Sequence, residues 1–388
     1  MIAVVADLHI GNVSGCLDSV FGDEIIASRT VDILKRFSAM VRKLGRGDHL
    51  IIAGDVYHRA RPSNIDEITF FECLNVCRER EVRVTVIPGN HDCNTRDAAT
   101  AVLKSARLDH VDVIHEPWVG PIGGVNMALM PHLPKPALDK IIEDHGSYSL
   151  YMAHLLRDYP QVNLLIGHAM VAGSGYENEI FFDAADAMEF HIDHFDTTGI
   201  KTAILGHIHD NSVYKSADGS RVVYYPGSIV TNNFGEIDDD KMYALIDPKD
   251  PSKVSFREFE PDETVYREVT VDLVTKDTFD PDEELVRELA EGAAIKVIVH
   301  TWDYARVDTM AIRKRFNQYG KVVKFEIRKT QSERGEVNDD SNSEAVHKEV
   351  RYDELFEDYI NGSSLPKNLK KRSLELGMGL IKSGVSDD

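Results

Sequence analysis

The first part of the chain alternates short apolar runs with longer segments whose apolar residues recur at helical spacing. Residues 2–6, 49–53 and 82–87 form apolar runs that predict buried strands, and residues 25–44 and 64–81 predict helices. Strands that alternate with helices in this way predict an α/β domain whose helices cover a sheet.

Beyond Val111 the pattern changes to apolar runs of strand length, with fewer helical segments between them. These runs occupy residues 127–130, 162–166, 202–205, 222–225, 242–246 and 254–259. We therefore predict a core domain of the α/β class at residues 1–262. Its expected form is a sandwich of two sheets packed face to face, with helices outside.

A smaller unit follows this core. Strand patterns at residues 265–273, 294–302 and 322–328, with helical spacing at 281–290 and 309–319, predict a second α/β domain at 263–330. Residues 331–349 are polar and contain no aromatic residue, which predicts a flexible linker.

The last segment, residues 350–388, carries an apolar stripe at helical spacing, formed by Tyr352, Leu355, Phe356, Tyr359 and Ile360. An amphipathic helix after a flexible linker is typical of a tail that binds a partner protein. A helix that folds back onto the core of its own chain would have the same stripe, and the sequence leaves both interpretations open.

Composition and charge exclude some classes of protein. The 388 residues are 43% apolar, enough for a sizeable core, and the net charge of −21 argues against a protein coated with basic surface. A local basic patch, or metal ions in one cleft, remains compatible with that charge. The spacing of the four cysteines matches neither a zinc site nor a disulfide framework, so we expect reduced thiols. We also expect neither a signal peptide nor a membrane span. The predicted compartment is therefore the cytoplasm.

Residues of metal-ligand type follow the ends of five predicted strands. They are Asp7 with His9, Asp55, Asn90, His168, and His207 with His209. The carboxyl ends of strands are where α/β sheets place their ligands. On an extended segment, residues two apart point to one side, so we expect Asp7 and His9 to face the same way, and His207 and His209 likewise.

The predicted ligand set combines oxygen and imidazole donors without a thiolate. Such a set suits Mn²⁺, Fe²⁺ or Zn²⁺ in a site for two metal ions and disfavours a structural zinc site. Two ions about 3.5–4 Å apart activate water and clamp phosphoryl oxygens, which favours phosphoester hydrolysis. Any single one of the sixteen histidines is more simply a surface or capping residue, so the prediction depends on the whole set.

The motifs Asp7-x-His9, Gly54-Asp55, Gly89-Asn90-His91-Asp92, Gly167-His168 and Gly206-His207-x-His209 together resemble the five-motif signature of calcineurin-like metallophosphoesterases. Within that superfamily, residues 55–63, 225–228 and 234–236 resemble the SbcD-type DNA double-strand-break repair nucleases. Residues 263–330 are similar to the DNA-capping domain of that family in length and pattern only. The tail at 350–388 resembles the segment that grips the coiled coil of an SMC-like ATPase, SbcC or its phage equivalent.

The resemblance implies two divalent metal ions, with Mn²⁺ as the expected metal. One ion would be held by Asp7, His9, Asp55 and His209, and the other by Asp55, Asn90, His168 and His207. His91 would face the scissile phosphate, where it would stabilise charge or protonate the leaving oxygen. His58 would position the DNA end, unless it is simply an exposed loop histidine. Asp92 would support the ligands without binding an ion.

The resemblance also implies partners. DNA would be contacted by Arg59 and Arg61 beside the metal cleft, although each could be no more than a solvated side chain. The family forms homodimers through helices of the core, for which we nominate residues 64–81.

The sequence thus favours a DNA nuclease with 3′ to 5′ double-strand exonuclease and single-strand endonuclease activity, acting as the nuclease subunit of an ATPase-driven repair and recombination complex. Two alternatives stay open. The first is a phosphoesterase for small phosphodiesters or phosphoproteins, which shares every metal ligand. The second is a scaffold with little activity that loads the ATPase onto DNA.

Overall fold

The structure is a computed structural model that describes residues 1–21, 24–93, 98–172, 189–274, 292–304 and 307–329. Residues Met1–Ser332 form one compact unit. The predicted helix at 281–290, the linker at 331–349 and the tail at 350–388 lie outside the described residues, and the predicted domain boundaries stay predictions.

The first sheet contains six strands. In spatial order these are β16 (Asp250–Glu258), β15 (Met242–Asp247), β1 (Ile2–Val5), β4 (His49–Ala53), β5 (Arg83–Ile87) and β6 (Val111–Val113). Strands β1, β4, β5 and β6 run parallel, with Val4 opposite Ile51 and Ile52 opposite Val86, while β15 pairs antiparallel to β1. The parallel pairing brings the carboxyl ends of β1, β4 and β5 to one edge of the sheet.

The second sheet also contains six strands. Their spatial order is β13 (Ser212–Lys215), β14 (Val222–Tyr225), β12 (Thr202–Gly206), β9 (Leu164–His168), β8 (Val125–Met130) and β7 (Trp118–Ile122). Strands β14, β12, β9 and β8 are parallel, with Gly206 opposite His168. The carboxyl ends of β9 and β12 therefore lie side by side.

The two sheets share an apolar core. Val4 and Ile51 of the first sheet belong to the same buried cluster as Leu129, Ile166 and Ile204 of the second. Helices α1 (Ser28–Arg42) and α2 (Asn64–Glu79) cover the outer face of the first sheet, and α4 (Lys135–His145) and α5 (Tyr148–Leu156) cover that of the second, while the short helix α3 (Ala101–Ala106) precedes β6. The predicted two-sheet α/β sandwich with outer helices is confirmed.

One predicted helix begins later than its apolar spacing suggests. Residues 25–27 belong to a hairpin of β2 (Asp18–Phe21) and β3 (Glu24–Ala27), and α1 begins only at Ser28. Ile25 is 76% exposed, so the residue that opened the helical pattern takes no part in the core. Helix α2 begins where predicted, because Ser63 and Asp66 form a reciprocal capping box.

A third sheet is built after the sandwich. Its three parallel strands are β17 (Tyr266–Asp272), β18 (Ala293–Thr301) and β19 (Gly320–Lys329), and helix α6 (Thr309–Phe316) packs on them through Ile312 and Phe316. Two short strands, β10 (Met170–Val171) and β11 (Glu189–Phe190), pair separately. Within the described parts of the chain, no helix has the length and apolar character needed to cross a membrane.

Candidate metal centre

The predicted ligand residues meet where the carboxyl ends of the two sheets come together. The loops after β1, β4 and β5 supply Asp7, His9, Asp55 and Asn90, while the ends of β9 and β12 supply His168, His207 and His209. The side chains of Asp7, His9, Asp55, His168 and His207 are almost completely buried. One sheet alone provides only part of this set.

The backbone at these loops differs from the extended conformation that the sequence suggested. Asp7, His9, Asp55 and His207 have φ angles of 53°, 46°, 48° and 104°, in or near the left-handed region that non-glycine residues rarely adopt. The extended backbone assumed for Asp7 with His9, and for His207 with His209, is therefore absent at Asp7, His9 and His207. Asp7 and His9 nevertheless offer ligand atoms within 4.8 Å of each other, so they face one site through left-handed backbone and not through strand alternation. Local strain at a functional site persists only where surrounding contacts enforce it.

Those contacts are backbone hydrogen bonds between neighbouring loops. The Asp7 N–H donates to the carbonyl of Gly54 at 3.1 Å, and the His9 N–H donates to the carbonyl of Asp55 at 2.9 Å. The His207 N–H donates to both carboxylate oxygens of Asp7, at 3.0 and 3.1 Å. The ligand loops are thereby held against one another by the backbone.

Two glycines allow this close approach. A Cβ atom on Gly54, whose φ is 90°, would lie 2.1 Å from Nδ1 of His168, and one on Gly89 would lie 2.1 Å from Oδ1 of Asp55. Neither position has room for any side chain. Gly54 and Gly89 each precede a proposed ligand in the sequence. Their missing side chains leave space for ligand residues that come from other loops.

One group of donors surrounds His9. Its Nε2 lies 3.4 Å from Oδ2 of Asp55 and 2.9 Å from Nε2 of His209. Asp7, His9 and His209 each offer a ligand atom within 4.8 Å of the others. The four residues expected to hold the first ion are therefore neighbours in space.

A second group surrounds Asn90. Its Oδ1 lies 3.0 Å from Nε2 of His168 and 3.1 Å from Nδ1 of His207. Nε2 of His168 also lies 3.6 Å from Oδ1 of Asp55, and Asp7, Asp55 and His168 offer ligand atoms within 4.8 Å of one another. The structure thus places Asp55 between the two groups.

The hydrogen bonds of the imidazoles show that this arrangement fits cations. Nδ1 of His168 lies 3.0 Å from the carbonyl oxygen of Ala53, so it carries the hydrogen and leaves a lone pair on Nε2. That lone pair faces the oxygens of Asn90 and Asp55. Nδ1 of His209 donates to Glu236 at 2.8 Å, which leaves its Nε2 lone pair facing His9. Electron-rich atoms that face each other repel, and a divalent cation between them turns them into ligands.

Two buried carboxyl groups lie close together in the site, so ionising both without a bound cation is unfavourable. Burial raises the pKa of Asp7 well above its usual value, and the negative charge of Asp55 adds to the rise. Burial alone would raise the pKa of Asp55 too, but the imidazoles of His168 and His9 lower it below its usual value. Of the two carboxyl groups, Asp55 therefore ionises first, and a bound cation would allow both to ionise.

Asp92, for which the resemblance implied a supporting role, holds two loops together. Its carboxylate is fully buried and accepts hydrogen bonds from the backbone N–H groups of Val56, Tyr57 and Gly89, at 3.1, 2.8 and 2.9 Å. Burial and the charge of Asp55 raise its pKa to about 7. Asp92 ties the loop after β5 to the loop after β4.

His91 and His58 lie together beside these ligands. Their rings stack with centroids 5.3 Å apart, and Nδ1 of His91 donates to the carbonyl oxygen of His58 at 2.9 Å. Both side chains are half-buried, so part of each ring is accessible to solvent. Arg59 and Arg61 follow on the same loop and are exposed.

Sequence reasoning missed two residues of the site. Glu236, which the sequence marked only as part of a motif, binds His209 and also accepts from Nζ of the buried Lys241 at 2.8 Å. His132, just after β8, donates its backbone N–H to the carbonyl of Pro88, and burial, with the neighbouring imidazole of His168, lowers its pKa to about 4. No glycine precedes His132, and no second residue of metal-ligand type lies two positions away from it. No local motif therefore identified it.

The sequence is similar to that of a known family. A family model described as calcineurin-like phosphoesterase matches residues 1–211, more than half of the 388 residues. The match covers the strand ends that carry every predicted metal ligand.

Curated relatives include components of a nuclease and a DNA repair protein. The SbcD component of the nuclease SbcCD from Staphylococcus epidermidis is 24% identical over 262 residues, which cover 62% of this chain and 64% of that protein. The DNA double-strand break repair protein Mre11 of Archaeoglobus fulgidus is 26% identical over 58% of this chain and 49% of its own length. The SbcD component of the nuclease SbcCD from Bacillus subtilis is 24% identical over 60% of this chain and 63% of its own length. The chain thus spans less than two thirds of each relative.

Proposed function

Because this chain belongs to the calcineurin-like phosphoesterase family, we propose that it is a manganese-dependent DNA nuclease with 3′ to 5′ double-strand exonuclease and single-strand endonuclease activity. The observation that carries the hydrolytic part is the convergence of carboxylate, amide and imidazole ligands from both sheets. The choice of DNA as substrate is supported by the names of the curated relatives.

In this proposal Asp7, His9, Asp55 and His209 hold one divalent ion, and Asp55, Asn90, His168 and His207 hold the other. Bound ions of this kind supply Lewis acidity to the phosphate and lower the pKa of the attacking water. The protein supplies the geometry: His168 and His209 are oriented by Ala53 and Glu236, and Asp55 is oriented by the backbone N–H of His91 at 2.9 Å.

His91 acts on the leaving oxygen. Its Nδ1 is engaged by the carbonyl of His58, so Nε2 is the nitrogen left to meet substrate. A proton on Nε2 would be given to the oxygen that departs from phosphorus, and the same group stabilises the charge that develops there. His58 stacks on His91 and positions both that ring and the DNA end.

The remaining parts of the proposal concern partners. Arg59 and Arg61 are exposed cations next to the site and would contact DNA phosphates without reading sequence. Ile65 and Ile68 of α2 are exposed large apolar side chains, which supports the segment at 64–81 as the surface of a homodimer. We place the protein in the cytoplasm, with an SbcC-type ATPase bound through residues 350–388. Loss of ATPase co-purification after truncation at residue 349 is the check on that partner.

Digestion of end-labelled duplex DNA by the purified protein in Mn²⁺, Mg²⁺ or EDTA tests the activity. We expect manganese-dependent shortening from the 3′ end, which His91→Asn slows by about 10²–10⁴-fold because it removes a general acid. His145→Asn, at an exposed position of α4, is the matched control and should cut like the unmodified protein.

Two results would contradict the proposal. Hydrolysis of a small chromogenic phosphodiester without any cleavage of DNA would favour a phosphoesterase for small substrates or phosphoproteins. Binding of DNA and ATPase with no hydrolysis of either substrate, in protein shown to contain metal, would favour the loading scaffold.

A further inference from the structure

Three imidazoles form a cluster of their own beside the proposed ligands of the two ions. We call His9, His58 and His91 the imidazole trio. The ring centroids lie 5.5 Å apart for His9 and His58, 4.7 Å for His9 and His91, and 5.3 Å for His58 and His91. One nitrogen of each ring lies within 4.8 Å of a nitrogen of each of the others. Only His9 is shared with the two proposed ion positions.

The two ring nitrogens of His9 face different groups: one faces the proposed ligands of the first ion and the other faces His58 of the imidazole trio. Its Nε2 faces Asp55 and His209, whereas its Nδ1 lies 3.5 Å from Nδ1 of His58. That separation is at the outer limit of a hydrogen bond. In a tetrahedral zinc site with metal–nitrogen bonds of 2.0–2.1 Å, two ligand nitrogens lie about 3.3–3.4 Å apart. The distance between the two Nδ1 atoms is close to that value. His91 keeps Nε2 available, because its Nδ1 donates to the carbonyl of His58.

The ligand type of a metal site influences which ion it binds, and the imidazole trio offers only nitrogen ligands. Neutral imidazole suits Zn²⁺, Cu²⁺ and Ni²⁺, and Mn²⁺ is the weakest binder in the series of first-row divalent ions. The two proposed ion positions differ, since each contains Asp55 and therefore a hard oxygen ligand. The ion preferred by the imidazole trio is thus not the one that we propose for catalysis.

We propose that the imidazole trio is a third metal site, which binds Zn²⁺ and inhibits the enzyme. A neutral imidazole has one lone pair, so His9 can give Nδ1 to zinc only while Nε2 carries the hydrogen. Zinc in the trio and a catalytic ion on Nε2 of His9 therefore exclude one another. Zinc also takes the Nε2 lone pair of His91, which removes the proton donor for the leaving oxygen.

Inhibition of hydrolysis by zinc rests on the proposed function, whereas binding of zinc to the imidazole trio does not. The experiment therefore measures zinc affinity and zinc inhibition separately. Metal-free full-length protein is reloaded with saturating Mn²⁺, and Zn²⁺ affinity is measured by competition with a chromophoric chelator. The zinc concentration that halves hydrolysis of a chromogenic phosphodiester is measured alongside. The variants are His58→Asn, which removes one trio nitrogen and none of the proposed ligands of the catalytic ions, and His145→Asn on exposed α4 as the control.

We expect His58→Asn to weaken zinc binding at least about tenfold, since even the loss of an outer partner costs that much. The inhibitory zinc concentration should rise by the same factor, and added Mn²⁺ should relieve inhibition of the unmodified protein. His145→Asn should behave like the unmodified protein. If His58→Asn lowers the melting temperature in EDTA, His58→Gln replaces it.

Unchanged zinc affinity and unchanged inhibition in the His58 variant would overturn the proposal, because zinc would then act at the ligands of the catalytic ions. Absence of hydrolysis in every protein would contradict the proposed function instead. In that case the difference in zinc affinity between the unmodified protein and His58→Asn still decides whether the imidazole trio binds zinc.

Discussion

The two sheets of the sandwich contribute unlike halves of the metal centre. The loops of the first sheet bring both carboxylates, Asp7 and Asp55, with the amide of Asn90, whereas the second sheet brings the imidazoles of His168 and His207 and, just beyond β12, of His209. His9 is the one proposed imidazole ligand on the first sheet. A complete ligand set therefore exists only where the sheets are packed together, and metal binding should be linked to that packing.

The halves are also held differently. In the first, backbone hydrogen bonds join the loops, from Asp7 to Gly54 and from His9 to Asp55, and the carboxylate of Asp92 ties in the loop after β5. In the second, contacts to the rings orient the ligands: the carbonyl of Ala53 orients His168 and the carboxylate of Glu236 orients His209. The acidic half is thus held mainly by contacts between loop backbones, while in the imidazole half the contact that orients His209 is a side chain that can be replaced.

The largest effect should come from the carboxylate placed between the two donor groups. Asp55→Asn should lower hydrolysis at least about 1,000-fold, or ~4 kcal/mol, because both proposed ions lose a charged ligand. Manganese at 100 times its dissociation constant stabilises a protein by about 2.7 kcal/mol, and this gain should disappear in the variant. Initial rates and thermal unfolding with and without Mn²⁺ measure the two effects.

Asp92→Asn is the matched control for Asp55→Asn. Its carboxylate is equally buried but accepts only backbone hydrogen bonds. This variant should lose stability in EDTA and keep the manganese-dependent gain. Equal loss of that gain in both variants would contradict the assignment of Asp55 alone as the shared ligand.

Acid should weaken the first sheet through His49, which begins β4 and contacts the hydroxyl of Thr85 at 2.8 Å. Burial and the charge of Arg83 lower its pKa from 6.5 to about 4. Between these values the unfolded chain binds more protons, so stability is complete above pH 6.5 and falls as the pH drops towards 4. The loss is up to about 3 kcal/mol.

Urea unfolding in EDTA at pH 7 and pH 4.5 checks this expectation. His49→Gln should lose less stability on acidification than the unmodified protein. Thr85→Val keeps the histidine and removes only its partner, so it should retain the steep pH dependence. The idea fails if His49→Gln and the unmodified protein respond equally to acid.

The smallest effect should come from the imidazole half. Glu236→Gln should weaken Mn²⁺ binding by about 10–100-fold, or ~1.4–2.7 kcal/mol, because the amide orients His209 without making it more basic. Manganese titration by isothermal calorimetry measures the change. Lys241→Met removes the cation that donates to Glu236, Ser228 and Asp239 but leaves the contact between Glu236 and His209 in place. It should weaken binding less than Glu236→Gln, and the reverse order would argue against orientation of His209 by Glu236.

The sequence predicted the central strands of both sheets, because each is a continuous apolar run, but it did not predict the edge strands β6, β7 and β13 or the helices α4 and α5. It also predicted which strand ends carry ligand-type residues. It could not predict how those side chains are aimed. Asp7 and His9 do offer ligand atoms to one place, but left-handed backbone held by hydrogen bonds to Gly54 and Asp55 brings them there, and not strand alternation. Those bonds come from another strand, so no local pattern contains them.

Glu236 and His132 show the same limit. Glu236 lies 27 residues from His209 in the chain, and its role follows only from a contact of 2.8 Å. His132 follows β8 without any flanking motif, and its place beside the site follows from the hydrogen bond of its backbone N–H to the carbonyl of Pro88. Residues that act through tertiary contacts leave little mark on sequence spacing, whereas residues delivered by strand ends do.

His9 and His209 touch in space at 2.9 Å but are 200 residues apart in the chain. A ribosome that adds roughly 5–20 residues per second takes about 10–40 s to pass from one to the other. For that interval the acidic half of the centre has been synthesised and its imidazole half has not. A nascent chain therefore cannot assemble the complete centre until the second sheet has left the ribosome and folded.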